Sequence, residues 1–198
     1  MGILEVIMPA AAQRRCLFLD RDGVINKSLV RGGKPFPPSD WSETEYIPGI
    51  HELCRLAHKA GWLVIVATNQ PDVGRGTTPQ AVVEEIHRHM VEDLGLDDVE
   101  VCYDPGLGVP SAFRKPAPGM LLRAAAKHNI DLGDSIMVGD RWRDVSCGRA
   151  AGCRTIFIDY GYTESLRDAP DYTVSSVAAA VALLNPLLSL PYPNPCSP

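Results

Sequence analysis

At 198 residues and 21.5 kDa, with 45% hydrophobic residues, the chain has the size and apolar content of one ordinary domain with a real core. A net charge of −5, a pI near 5.5 and the lack of any Lys/Arg-rich run remove the electrostatic footprint of nucleic-acid binders, so small molecules are the expected partners. Six cysteines that never form a Cys-x-x-Cys pair argue against a disulfide framework or a zinc knuckle, and for reduced thiols in a cytoplasmic protein.

The apolar opening, residues 1–13, has no basic n-region, carries Glu5 and is too short to span a bilayer. It predicts neither an export signal nor a membrane anchor. The first strand is RCLFLD, ending on Asp20. Residues 27–47, KSLVRGGKPFPPSDWSETEYI, are rich in Pro, Gly and Ser without a helical period, which predicts a 23–47 loop or short hairpin over the site.

From there, apolar strand-like runs alternate with helical patterns. PGIHELCRLAHKAG is followed by WLVIVAT, TPQAVVEEIHRHMVEDL, VEVCYDP and PGMLLRAAAKHNI. Next come SIMVGD, RDVSCGRAAG and RTIFIDYG, then DYTVSSVAAAVALL as a short strand and closing helix. The alternation predicts an α/β fold, a doubly wound parallel sheet in one domain over 1–185, with a proline-rich tail over 186–198.

Such sheets bind ligands beyond the carboxyl ends of their strands. Those ends carry Asp20 with Asp22, Thr68 with Asn69, Asp104, and Gly139 with Asp140. Asp20 and Asp22 stand two apart and can address one point, with Gly23 letting the backbone turn. Two acids so close share a proton or bind a cation. In VATNQ, the Thr68 hydroxyl and the Asn69 amide suit phosphate oxygens. In RKPAPG, Lys115 offers a fixed positive charge, and in VGDRWRD, Asp140 offers a hard oxygen ligand with Asp144 behind it. Each piece alone is weak; a capping acid, a helix cap, a solvated lysine and a plain turn would account for them separately. Together and in this order they form one constellation.

Those four motifs, LDRDG, TNQ, RKP and GDRWRD, resemble the haloacid dehalogenase superfamily of phosphohydrolases, from about Cys16 to about Glu164. The wording FLDRDGVIN, TNQPDVGRG and RKPAPGMLL is most similar to its branch of D-glycero-D-manno-heptose 1,7-bisphosphate and histidinol phosphatases, which lack a large cap domain. The resemblance implies Asp20 as nucleophile and Asp22 as general acid and base, with a raised pKa. It implies Mg²⁺ on the Asp20 and Asp140 carboxylates and the Asp22 carbonyl, with Asp144 as an orienter behind them. Thr68, Asn69 and Lys115 would hold the transferring phosphoryl group, and Gln70, Arg75 and Arg114 would contact a small phosphorylated substrate.

The branch usually carries a zinc loop of three cysteines and a histidine, whereas CYDPGLGVPSAF here has Cys102 alone, so no structural zinc is expected. Lys34, Trp41, Glu43 and Tyr46 are available to line a pocket mouth. A receiver-type phospho-acceptor is a rival, but its phosphorylated Asp ends the third strand. A phosphate-binding protein without catalysis is another, opposed by competent residues at every catalytic position. Aromatic residues are too few and scattered to outline a protein interface.

Overall fold

The buried runs of the sequence assemble into one sheet in the computed structural model, which describes residues 12–31, 34–36 and 38–188. In chain order the elements are β1 (Cys16–Leu19), β2 (Leu29–Arg31), β3 (Lys34–Phe36), α1 (Ile50–Lys59), β4 (Leu63–Asn69), α2 (Pro71–Gly74) and α3 (Gln80–Leu94). They continue with β5 (Asp98–Cys102), α4 (Gly119–His128), β6 (Ile136–Gly139), α5 (Trp142–Ala151), β7 (Arg154–Ile158), β8 (Tyr172–Val174) and α6 (Val177–Leu188). β2 and β3 pair antiparallel as a separate hairpin.

The sheet order is β5-β4-β1-β6-β7-β8, with every pairing parallel. From the central β1 the chain winds outward through β4 and β5, then returns to β6 and winds the other way. The crevice at that reversal, beyond the carboxyl ends of β1 and β6, is where a doubly wound sheet binds ligands.

Every residue of β1 is buried, because helices cover both faces. Leu17, Leu19, Val64 and Val66 point into a core with Ile50 and Leu53 of α1, Ile86 and Met90 of α3, and Leu184 of α6. Cys16, Phe18, Ile65 and Ala67 point the other way, onto Met120 and Leu121 of α4 and Cys147 of α5. The period-two alternation of an extended chain thus divides one apolar run between two cores.

Local details refine this outline. The closing helix runs on through Pro186 to Leu188, because the buried Leu184 and Leu188 hold its last turns against the core. TNQPDVGRG contains the short helix α2, with Pro71 at its start where a missing N–H costs nothing. Within the insertion, Ser28 lines the crevice, whereas residues 41–46 pack on α3. Trp41 stacks on His89 at 4.3 Å, and the Tyr46 hydroxyl donates to Asp93 at 3.0 Å. Glu43 accepts from the Ser39 backbone N–H at 3.0 Å. Trp41, Glu43 and Tyr46 therefore do not line the pocket, since aromatic surface found a helix face to cover.

The Lys34 side chain, the apolar opening segment up to residue 11, and the tail from residue 189 with Cys196 lie outside the described residues. The other five cysteines are free and buried. Among the described residues no helix is long and apolar enough to cross a membrane.

Candidate active site

Asp20 follows the last residue of β1, at the crevice. Its Oδ1 accepts from the Arg21 backbone N–H at 2.7 Å and from Lys115 Nζ at 2.8 Å; Oδ2 accepts from neither. Lys115 is 2% exposed, and its ammonium has a second and third neighbour in Asp144 Oδ1 at 2.6 Å and the Ala67 carbonyl at 2.7 Å. Asn69 pins the lysine's backbone from both sides, donating to the Lys115 carbonyl and accepting from its N–H, each at 3.0 Å. The peptide bond from Lys115 to Pro116 is cis.

Asp140 follows the last residue of β6, and Asp144 sits in the first turn of α5, where a helix N-terminus favours an acid. Asp144 Oδ2 accepts the Arg141 N–H at 3.0 Å, so both its oxygens are engaged. Asp140 Oδ1, by contrast, is buried without a hydrogen-bond partner. An orphaned buried carboxylate oxygen is costly and is the natural seat of a cation. Asp20, Asp140 and Asp144 each offer an oxygen within 4.8 Å of the others'. Since Asp144 is spoken for, Asp20 and Asp140 fit a hard divalent metal best.

Glycines make this approach feasible. A Cβ on Gly23, at φ +96°, would stand 2.2 Å from Asp140 Oδ2, and one on Gly139 would stand 2.1 Å from Asp144 Cβ.

Three acids around one lysine leave the cluster electrically short of cation. Burial and the neighbouring Asp144 push Asp20 up to about 7, against the pull of Lys115. Burial, Asp20 and Asp144 push Asp140 well above the usual carboxylate range. Burial opposes the charge on Lys115, yet Asp144 and Asp20 hold its pKa above the ordinary value.

Asp22 departs from the expectation of a raised pKa. Burial would raise it, but Arg21, Asn26 and Gln70 hold it below the ordinary carboxylate value. The Arg21 guanidinium grips it through Nε at 3.1 Å and Nη2 at 2.9 Å. Asn26 Nδ2 donates to Oδ1 at 3.0 Å and Gln70 Nε2 to Oδ2 at 2.8 Å.

The pocket gathers Asp20, Asp22, Thr68, Asn69, Arg114, Lys115, Asp140 and Asp144, with Arg141 and Arg143 added at the rim. Two expected substrate contacts stand elsewhere. Arg75 donates to the Pro105 carbonyl through Nε and Nη2 and pairs with Asp72, a loop clamp outside the pocket lining. Gln70 lies beneath the site, linking Thr68 Oγ1, Asp22 and Arg21. Arg114 lines the pocket while its Nη1 holds the Asp104 carbonyl at 2.6 Å.

The reading of residues by motif missed Arg21 and the two rim arginines. Arg21 was visible in principle, because it keeps the odd-numbered register of Leu17 and Leu19 that points into a core.

A family model described as HAD-hydrolase-like matches residues 112–180. The chain is 33% identical over 190 residues to the D-glycero-D-manno-heptose-1,7-bisphosphate 7-phosphatase of Thermosynechococcus vestitus, covering 85% of this chain and 94% of that enzyme. It is 35% identical over 191 residues to the D-glycero-alpha-D-manno-heptose-1,7-bisphosphate 7-phosphatase of Burkholderia mallei, covering 91% and 94%. Among solved structures, the D,D-heptose 1,7-bisphosphate phosphatase of B. bronchiseptica, complexed with magnesium and phosphate, superposes with a TM-score of 0.73 at 28% identity. That match covers 86% of this chain and 97% of the other.

Proposed function

The chain belongs to the HAD-like phosphatases, hydrolases of phosphomonoesters, and from that premise we propose that it removes the 7-phosphate of a D-glycero-D-manno-heptose 1,7-bisphosphate. The observation that carries the chemistry is the buried Lys115 ammonium between Asp20 and Asp144, beside the unpartnered Asp140 Oδ1. The relatives' names supply the substrate.

Asp20 attacks phosphorus in line through its carboxylate oxygen, the bond from phosphorus to the sugar oxygen breaks, and the phosphoryl group rests on Asp20. Asp22 gives a proton to the leaving oxygen. Water then attacks the aspartyl-phosphate, Asp22 takes its proton, and phosphate leaves with Asp20 regenerated. Arg21 and its neighbours favour the ionised Asp22 that this second step needs. For the first step, the negative charge of an incoming phosphate next to the carboxylate favours its protonated form.

Thr68, the Asn69 amide and Lys115 cradle the transferring oxygens, each good donor contributing about 2.7–4 kcal/mol. Arg114, Arg141 and Arg143 supply positive charge for the rest of an anionic substrate. Mg²⁺, held by Asp20, Asp140 and the Asp22 carbonyl, would offset the repulsion between carboxylate and phosphate. With Cys102 the one cysteine in residues 102–113, we expect no structural zinc.

Mg²⁺ affinity should rise with pH. Asp20 titrates at about 7 and Asp140 is raised too, so below that value binding must displace protons. The apparent association constant should climb at least about tenfold per pH unit below about 7. Calorimetry in buffers of different ionisation enthalpy would register the released protons. A pH-independent affinity would remove Asp20 and Asp140 from the metal site.

The substrate reading is tested by phosphate release with Mg²⁺ from heptose 1,7-bisphosphate, histidinol phosphate and other sugar phosphates. Heptose 1,7-bisphosphate should lead in kcat/KM by at least about tenfold. Faster turnover of histidinol phosphate would reassign the substrate and leave the phosphatase intact.

A further inference from the structure

A fully buried arginine between two catalytic-motif acids calls for an account of what holds it. Arg21 is 1% exposed, so its charge and donors need partners inside the protein. Asp22 takes Nε and part of Nη2, and Gln70 Oε1 takes Nη2 at 2.9 Å. Nη1 faces His87 Nε2 at 3.3 Å.

A guanidinium only donates, so this contact requires the lone pair of His87 Nε2, with the ring neutral and its proton on Nδ1. Burial and the adjacent Arg21 push the His87 pKa down to about 3, with Asp22 the one charge pulling it back. His87 sits mid-way along α3, on its inward stripe with Val83, Ile86, Met90 and Leu94. An aliphatic side chain would suit that stripe for packing alone. An imidazole there instead supplies an acceptor where the guanidinium ends.

We propose that His87 is a positioning residue for proton transfer: by anchoring Arg21 from α3, it sets where the Asp22 carboxylate stands relative to the leaving oxygen. His87 is not among the pocket-lining residues, and its hydrogen-bond contact is with Arg21. It acts through one rigid planar group whose two ends engage the helix and the acid. The inference rests on the reading of Asp22 as the proton donor.

The test compares two esters. Hydrolysis of p-nitrophenyl phosphate expels a stable phenolate and needs little proton donation, whereas heptose 1,7-bisphosphate expels an alkoxide and depends on it. His87→Leu, which packs but cannot accept, should lower the rate constant of phosphoryl transfer from the sugar ester to Asp20, read before the steady state, about tenfold to hundredfold. The same rate constant for the aryl ester should stay within about threefold of wild type, while breakdown of the aspartyl-phosphate, common to both, slows equally for both. His87→Gln, whose Oε1 can accept, should restore most of the loss. It also serves if the Leu variant fails to fold, because the ratio of the two rates can then be read from Gln against His87→Met.

Equal loss of the transfer rate on both esters, an unchanged ratio, or faster transfer from the sugar ester would overturn the positioning role. Asp22→Asn separates this failure from the larger one. If Asp22→Asn slows phosphoryl transfer from the sugar ester far more than from the aryl ester while His87→Leu does not, the inference fails and the function stands. A wild-type protein inert towards both esters would end both.

Discussion

Asp20→Asn should abolish phosphate release, by at least on the order of 10⁴-fold, without lowering the melting temperature. Asparagine keeps the size and the Oδ1 acceptor that meets the Arg21 N–H and Lys115, so the local packing survives. What it loses is the anionic oxygen that attacks phosphorus. The ionised Asp20 is disfavoured in the fold, since burial and Asp144 raise its pKa to about 7. Folding thus favours the protonated acid, an advantage present at low pH and lost as pH rises through about 7. Replacing the carboxylate with a neutral amide should therefore leave the metal-free protein at least as stable near pH 8. Kinetics and a thermal melt on the same sample decide it. Residual turnover within about tenfold of wild type would take the nucleophile role from Asp20.

Lys115→Met should fail on both counts. Among the described residues the ammonium is the one cation paired with Asp20 and Asp144, and each of its contacts is buried. Removing it strands two carboxylates in a low-dielectric site, which costs about 3–5 kcal/mol. For a chain of this size that corresponds to a fall in melting temperature of roughly 6–20 °C. Loss of a charge aimed at the phosphoryl group lowers kcat by a further factor of about 10²–10³. The double variant Lys115→Met with Asp20→Asn should recover part of the stability and none of the activity. Full stability in the single variant would mean that the carboxylates are neutral without the lysine.

These two residues also show what the sequence makes legible. Asp20, Thr68, Lys115 and Asp140 each close a strand or loop at the same edge of the sheet, so their convergence follows from topology once the α/β alternation is read. Arg75 obeys no such constraint. It lies past α2, and a loop arginine can turn to a backbone carbonyl as readily as to a substrate. Trp41 and Tyr46 illustrate the same limit, because composition does not tell which apolar surface an insertion will cover. Arg21 and His87 lie 66 residues apart, and only the packing of α3 against the sheet brings them together. The Asp22 carboxylate follows the same limit. Its neighbouring acid is evident in the sequence, whereas the Arg21, Asn26 and Gln70 donors that outweigh burial become its partners only in the folded chain.

Acid quench of a rapid-mixing reaction with Mg²⁺ and heptose 1,7-bisphosphate, followed by peptide mass spectrometry, tests the central chemical claim. A phosphoryl adduct should appear on Asp20 within one turnover, decay as phosphate is released, and be absent from Asp20→Asn. Turnover with no adduct on Asp20 at any time, or an adduct on another residue, would contradict the account.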